Sequence, residues 1–276
     1  MRRPGATLDG VHTYDDHIED FSRNAVEQHT RALSGFSRRL QDINQNDLTA
    51  VERAEQPMVA ANIQARMFEL EQIRTWERSP QLYADTLCSS LAAQVVFTHA
   101  PLSERARRVL SKLRQTARVV QAARDNVKDP PGIFVKVGLE TFRGALNFIE
   151  KDLPRAFSAL DDLHLLGDLA DASTEAVQTI SSYIQFLEED AAPKARASFR
   201  LGRELFERKL ALDEGLSMDA DKLLNIALRE FQTTQDEFRS LAGKLGSGDP
   251  IAAWRKAKDE HPSPGGLSAA AQQQLE

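Results

Sequence analysis

The chain has 276 residues, a formal charge of −6, 41% hydrophobic and 28% charged residues. That is enough for one large helical domain or two small ones, and it excludes a disordered polyampholyte. No run approaches the roughly 18 apolar residues of a membrane span, the acidic balance argues against nucleic acid as a partner, and the single cysteine, Cys88, excludes an internal disulfide or a thiolate zinc site.

The first segment, Met1-Arg2-Arg3-Pro4-Gly5-Ala6-Thr7, is basic, but no apolar run follows it. No export signal is therefore visible, and the expected compartment is the cytoplasm. Residues 1–18 read as a flexible terminus. A first amphipathic helix is expected over 19–43, with Phe21, Val26, Leu33, Phe36 and Leu40 on its apolar positions. Asp47 can cap a second helix from Leu48 to Trp76, in which Pro57 should introduce a bend or a break. Pro80 opens a third helix through Leu82, Leu87, Leu91 and Val95. Ser103 is the expected N-cap of a fourth. That fourth helix carries Arg105, Arg107, Arg108, Lys112, Arg114 and Arg118, which have no interleaved aromatics and read as a solvated face.

The only β-like stretch is Ile133–Val137. Pro130-Pro131 before it favours a helix start instead, since proline at a first helical position loses no needed N–H. Phe142, Leu146, Ile149 and Leu153 then follow in steps of four, three and four, one helical face. Pro154 and Gly167 mark a looser connection, and Ser173 caps a helix to about Glu189, ended by Pro193. A further helix covers Phe199 to Leu212 and stops at Gly215. The last long helix runs from Ser217 to Leu245, with Asp219 and Asp221 suited to its positive end. Leu224, Phe231, Phe238 and Leu245 recur every seven residues, which over about three heptads fits a helical bundle better than a coiled coil. Gly246-Ser247-Gly248-Asp249-Pro250 and His261-Pro262-Ser263-Pro264-Gly265-Gly266 break the remainder around a short helix at Trp254. No repeat of fixed period is present. The expected fold is an all-α multi-helix array with antiparallel helices and no significant sheet: residues 1–18 flexible, 19–245 one helical domain, 246–276 linker and truncated terminal helices.

The search for chemistry yields no catalytic, cofactor-binding or metal residues. None of the histidines (12, 17, 29, 99, 164 and 261) is followed by glutamate, so the helical His-Glu-x-x-His zinc motif is absent. His12 and His17 flank Asp15 and Asp16, but a spacing of five turns the rings to different helix faces. Ser217, in Gly-Leu-Ser-Met-Asp, lacks the second glycine of a nucleophile elbow and reads as a helix cap. Cys88 lies on an apolar face as a small hydrophobe. Gly246-x-Gly248 has no third glycine, and Gly243-Lys244 is not followed by Ser or Thr, so neither is a nucleotide loop. The carboxylates of Asp161-Asp162 and Glu188-Glu189-Asp190 sit near helix ends, where solvation is the default.

Five segments, in order, resemble the bacterial family known as domain of unknown function 885. They are Ala65–Pro80 leading into Leu82-Tyr83, Pro101–Ala106, Pro130-Pro131 with the helix through Gly144 and Asp152-Leu153-Pro154, Phe199–Leu210, and the Gly215-Leu216-Ser217 turn with its long helix. The resemblance spans roughly residues 10 to 262. It implies a helical scaffold related to zinc metallopeptidases about twice this length, whose His-Glu-x-x-His motif lies in the second half. On that basis the chain is expected to be a non-catalytic N-terminal half, one wall of a peptide-binding cleft. Zinc is expected only in the missing C-terminal half, and the expected partner is that half or an equivalent protein surface, with peptides as ligands of the full-length protein and neither nucleic acid nor membrane. The alternative is a self-contained helical interaction module. The abrupt end after Gly265-Gly266 favours the first, and Phe142, Phe199, Phe206 and Trp254 are candidates to line an exposed apolar face.

Overall fold

A computed structural model describes residues 7, 10–244 and 249–275. It is 77% helical, and among the described residues there is no strand, so the chain is the expected all-α array. No helix of the described residues is long and apolar enough to cross a membrane. The chain divides into two compact units, Met1–Leu216 and Ser217–Glu276, whereas periodicity alone runs one domain through to residue 245.

The first unit opens with α1 (Arg23–Gln41), capped by the Ser22 hydroxyl, which accepts from the Ala25 N–H. It pairs with α2 (Ala50–Phe68). Thr49 and Glu52 form a capping box at the start of α2, satisfying two N–H groups that a helix start leaves open. Pro57 does not end α2, which runs on through it. The break falls later: a π-turn over Glu69–Ile73 closes on Arg74, the one non-glycine residue with positive φ (55°) among the described residues. Then come α3 (Thr75–Arg78), α4 (Pro80–Val96), α5 (Leu102–Leu113) and α6 (Thr116–Asn126). Pro101, not Ser103, holds the N-cap position of α5.

The β-like stretch at Ile133–Val137 is helical, inside α7 (Gly132–Asn147). A π-turn over Phe148–Asp152 leads to α8 (Leu153–Ala156) and then to α9 (Leu163–Phe186). The Asp162 carboxylate caps α9 by accepting from the Leu165 N–H at 3.0 Å. Gly167 and the expected cap Ser173 therefore lie inside this helix, because a carboxylate eleven residues upstream already satisfies its first turn. The unit ends with α10 (Arg203–Glu214), stopped at Gly215 in the left-handed conformation, which glycine adopts without steric cost.

One core runs through this unit, centred on α4, α7 and α9 and completed by α5 and α6. Tyr83, Leu87, Phe142, Ile180, Tyr183 and Leu187 are fully buried, and Phe142 meets Tyr183 edge-on at 5.1 Å. Phe142, a candidate for an exposed face, is thus a core residue. Residues 12–18, read as part of a flexible terminus, are instead held. Ile18 and Phe21 are buried, and Gln115 bridges the Ile18 N–H and the Asp16 carbonyl.

The second unit contains α11 (Ala220–Lys244), α12 (Pro250–Asp259) and α13 (Leu267–Leu275). Asp219, not Ser217, caps α11, its Oδ1 accepting from the N–H groups of Asp221 and Lys222. Helices α11 and α12 pack together, burying Ala242 and Ala253. Leu245, Gly246, Ser247 and Gly248 lie outside the described residues.

Candidate functional site

Three places gather groups that could act: a clasp around Asp15, a groove along α9, and the open face of α11. The clasp is the most polar. Asp15 is 2% exposed and accepts from the Thr7 hydroxyl at 2.5 Å and from Arg108 at 2.7 Å. His12 Nδ1 lies 2.9 Å and His99 Nε2 3.3 Å from its Oδ2. Burial raises the Asp15 pKa, but the hydrogen bonds from Thr7 and His12 and the Arg108 charge outweigh it, and the net shift is downward. A carboxylate so supplied with donors stays ionised.

His12, Asp15 and His99 place one ligand atom each within 4.8 Å of one another, so their fit to zinc can be tested on geometry. The two imidazoles stack with centroids 4.7 Å apart and planes 7° from parallel. A ring nitrogen binds metal through a lone pair in the ring plane, and two stacked, nearly parallel planes do not converge on one ion. The same Asp15 oxygen is also occupied by the Arg108 guanidinium. The set does not fit zinc as it stands, and it serves to clamp the N-terminal segment onto α5.

Part of the basic run on α5 and α6 turns inward, where its sequence reads as a solvated face throughout. Arg105 donates to the Gln94 and Ala100 carbonyls, and buried Lys112 donates to the Ser90 carbonyl at 2.7 Å. Burial pulls the Lys112 pKa down to about 8. Arg118 binds the Ile18 carbonyl, while Arg107 and Arg114 remain exposed. Arg105, Lys112 and Arg118 thus tie loops to helices through backbone carbonyls.

The other residues weighed in the sequence do not assemble into a reacting constellation. His17 pairs with Asp16 at the surface. Cys88 has its thiol pushed up to about 11 by burial and by Asp85, which keeps it protonated and unreactive at neutral pH. Glu188 meets Arg143 and Asp190 meets Lys194. Ser217 is exposed, and Gly243-Lys244 are the last residues of α11. Glu19 went unnoticed in the sequence: it is buried, with Oε1 lacking a hydrogen-bond partner, and burial raises its pKa to about 7.

The groove lies between α8 with its π-turn and one face of α9, and encloses about 510 Å³. Ile149, Leu153, Phe157 and Leu169 form its floor, and Leu166 and Val177 its half-buried side. Glu150 is the only charged residue of the lining. The volume falls within the roughly 300–1,000 Å³ of ligand-binding clefts. On α11, in the other unit, Leu224, Leu228, Phe231, Phe238 and Leu241 are all exposed, Phe231 to 61%. Their steps of four, three, seven and three put them on one stripe. Phe199, Phe206 and Trp254 are exposed as well.

A family model described as "Bacterial protein of unknown function (DUF885)" matches residues 5–275. No curated protein matches the chain. Among solved structures, a candidate lipoprotein of unknown function from Shewanella oneidensis is similar, with a TM-score of 0.76 and 21% identity. The match covers 99% of this chain and 52% of that one, so the chain spans about half the length of its structural neighbour. At this identity the likeness is one of fold.

Proposed function

Because the chain belongs to the bacterial family DUF885, we propose that it is the non-catalytic, N-terminal helical half of a longer metallopeptidase-like protein, a scaffold forming one wall of a peptide-binding cleft. The observation that carries this reading is the stripe on α11, where leucines and phenylalanines that would fill a core instead face outward. A helix with such a stripe is built to be covered, and a soluble surface rarely leaves a large contiguous apolar patch open. The neighbour whose fold matches this one is about twice as long as the region that matches, which supports a further part of such a protein as the cover. In this reading catalysis and any zinc belong to that part.

The test is co-expression of this chain with the second half of a full-length family protein. A one-to-one complex is expected, and it should be lost when Leu228→Ser and Phe231→Ser are combined. Both residues are exposed, so the double variant keeps its fold. No complex, or a complex indifferent to the two substitutions, would contradict the reading. One observation favours a self-contained interaction module: Met1–Leu216 closes its own core and still carries a groove of its own.

A further inference from the structure

The segment ahead of α1 is fastened differently from the helices. From His17 to Phe21 it is non-helical, and among the described residues no backbone group between Ile18 and Phe21 bonds to another backbone group. Side chains of α5 and α6, and of Gln115 between them, take that role. Ser111 donates to the Asp16 carbonyl at 2.9 Å, and Gln115 donates to the same carbonyl at 2.8 Å. Gln115 also accepts from the Ile18 N–H at 3.0 Å. Arg118 donates to the Ile18 carbonyl at 2.8 Å, and Asn126 to the Phe21 carbonyl at 2.6 Å. Arg108 holds the Asp15 carboxylate at 2.7 Å. Arg108, Ser111, Gln115 and Arg118 step by three, four and three, the spacing of one helical face.

This is a track for polypeptide main chain. Hydrogen bonds to carbonyls and an amide can be made to any sequence in that conformation, and side-chain seats supply the choice. Three seats are filled here. Asp15 meets Arg108 and His99, Ile18 is buried, and Phe21 is buried and meets Tyr83 edge-on at 5.5 Å. The three recur every third residue. The chain's own segment is nevertheless a flawed occupant. Glu19, between the last two seats, is buried with Oε1 unpartnered, and a carboxyl buried without a partner costs free energy. Main-chain bonds of such generality, with a fault at Glu19, suit an occupant that yields to a better one.

We infer that residues 15–21 are a displaceable strap over a polypeptide-binding track on α5 and α6. Its external ligand is a non-helical segment with an acidic residue, an aliphatic residue three places on, an aromatic residue three further, and no acid directly after the aliphatic one. The inference rests on the peptide-wall reading for an outside polypeptide as ligand, but the track lies within Met1–Leu216 and is tested apart from α11.

The test is fluorescence anisotropy with the full chain and a labelled peptide of residues 12–22 carrying Glu19→Gln. The tethered strap competes at high local concentration. Asp15→Ala in the chain loosens the strap and frees Arg108 and His99, so this variant should bind the peptide about tenfold tighter than the unsubstituted chain, or better. Adding Ser111→Ala and Gln115→Ala should reverse that gain, and a peptide that also carries Phe21→Ala should bind about tenfold more weakly. Circular dichroism should stay that of the unsubstituted chain throughout. Leu228→Ser with Phe231→Ser should leave the affinity unchanged, which separates the track from the α11 face. Hydrogen exchange of the unsubstituted chain needs no variant to fold: the Ile18 amide should exchange by local opening, faster than the amides of α4. No saturable binding to the Asp15→Ala chain, binding indifferent to Ser111 and Gln115, or Ile18 exchange only at the rate of the α4 amides would overturn the inference.

Discussion

Glu19 is held in a place that does not suit a charge. Its carboxyl is buried, Oε1 has no hydrogen-bond partner, and burial raises the pKa from 4.5 to about 7. The folded-state value lies above the unfolded one, so the protonated acid is the form the fold prefers. Its contribution is fully present below about pH 4.5 and is lost as pH rises through 7. Glu19→Gln removes the penalty. It should raise stability by roughly 2 kcal/mol at pH 8 and change little at pH 4, measured by urea unfolding at both values. An unchanged difference between the two pH values would contradict this placement. Such residues are hard to read in advance. Glu19, read as the start of the first helix, and Asp15 lie ahead of α1 in a non-helical stretch, and Asp15 is held by His99 and Arg108, about ninety residues away. Arg105 and Lys112 illustrate the same limit: long stems let their charged ends reach buried carbonyls, so their type alone does not mark a solvated face.

Helices α4 and α7 pack against each other, and Gly138 is what lets their backbones meet at the start of α4. A Cβ at this position would lie 2.8 Å from the Pro80 Cβ and 3.2 Å from the Gln81 nitrogen. Gly144, on the same helix, has open space where a Cβ would go. Gly138→Ala should therefore destabilise the fold by about 1–3 kcal/mol through overpacking. Gly144→Ala should stabilise it by about 0.5–1 kcal/mol through helix propensity. Thermal unfolding of the two variants side by side checks this, and a loss of stability in both, or in neither, would contradict the packing described. Most helices were legible from the three-four recurrence of apolar residues. Their ends were less so. Pro57 sits on the exposed side of α2 and gives up one backbone bond without ending the helix, whereas Arg74 ends the segment through a left-handed conformation that no sequence pattern signals. The Asp162 cap outcompeted Ser173 because a helix starts at the first residue able to satisfy its open N–H groups, and nothing between them stops it.

For the molecule as a whole, the all-α class and the family were readable from the order and spacing of short segments. The groove was not, since it depends on how α8 and α9 pack, which a single period cannot reveal. The α11 stripe was visible as a heptad pattern, but the pattern alone could not say whether it faced a core or solvent. In the structure it faces solvent, and the scaffold reading depends on that fact. Sedimentation velocity of the 30.8 kDa chain, run with a hydrophobic dye at concentrations where the far-ultraviolet signal stays helical, tests it most directly. The account predicts dye binding and concentration-dependent association, both sharply reduced when Leu228→Ser and Phe231→Ser are combined, because an apolar stripe left uncovered recruits either dye or another copy. A compact monomer that binds no dye at any concentration would contradict it.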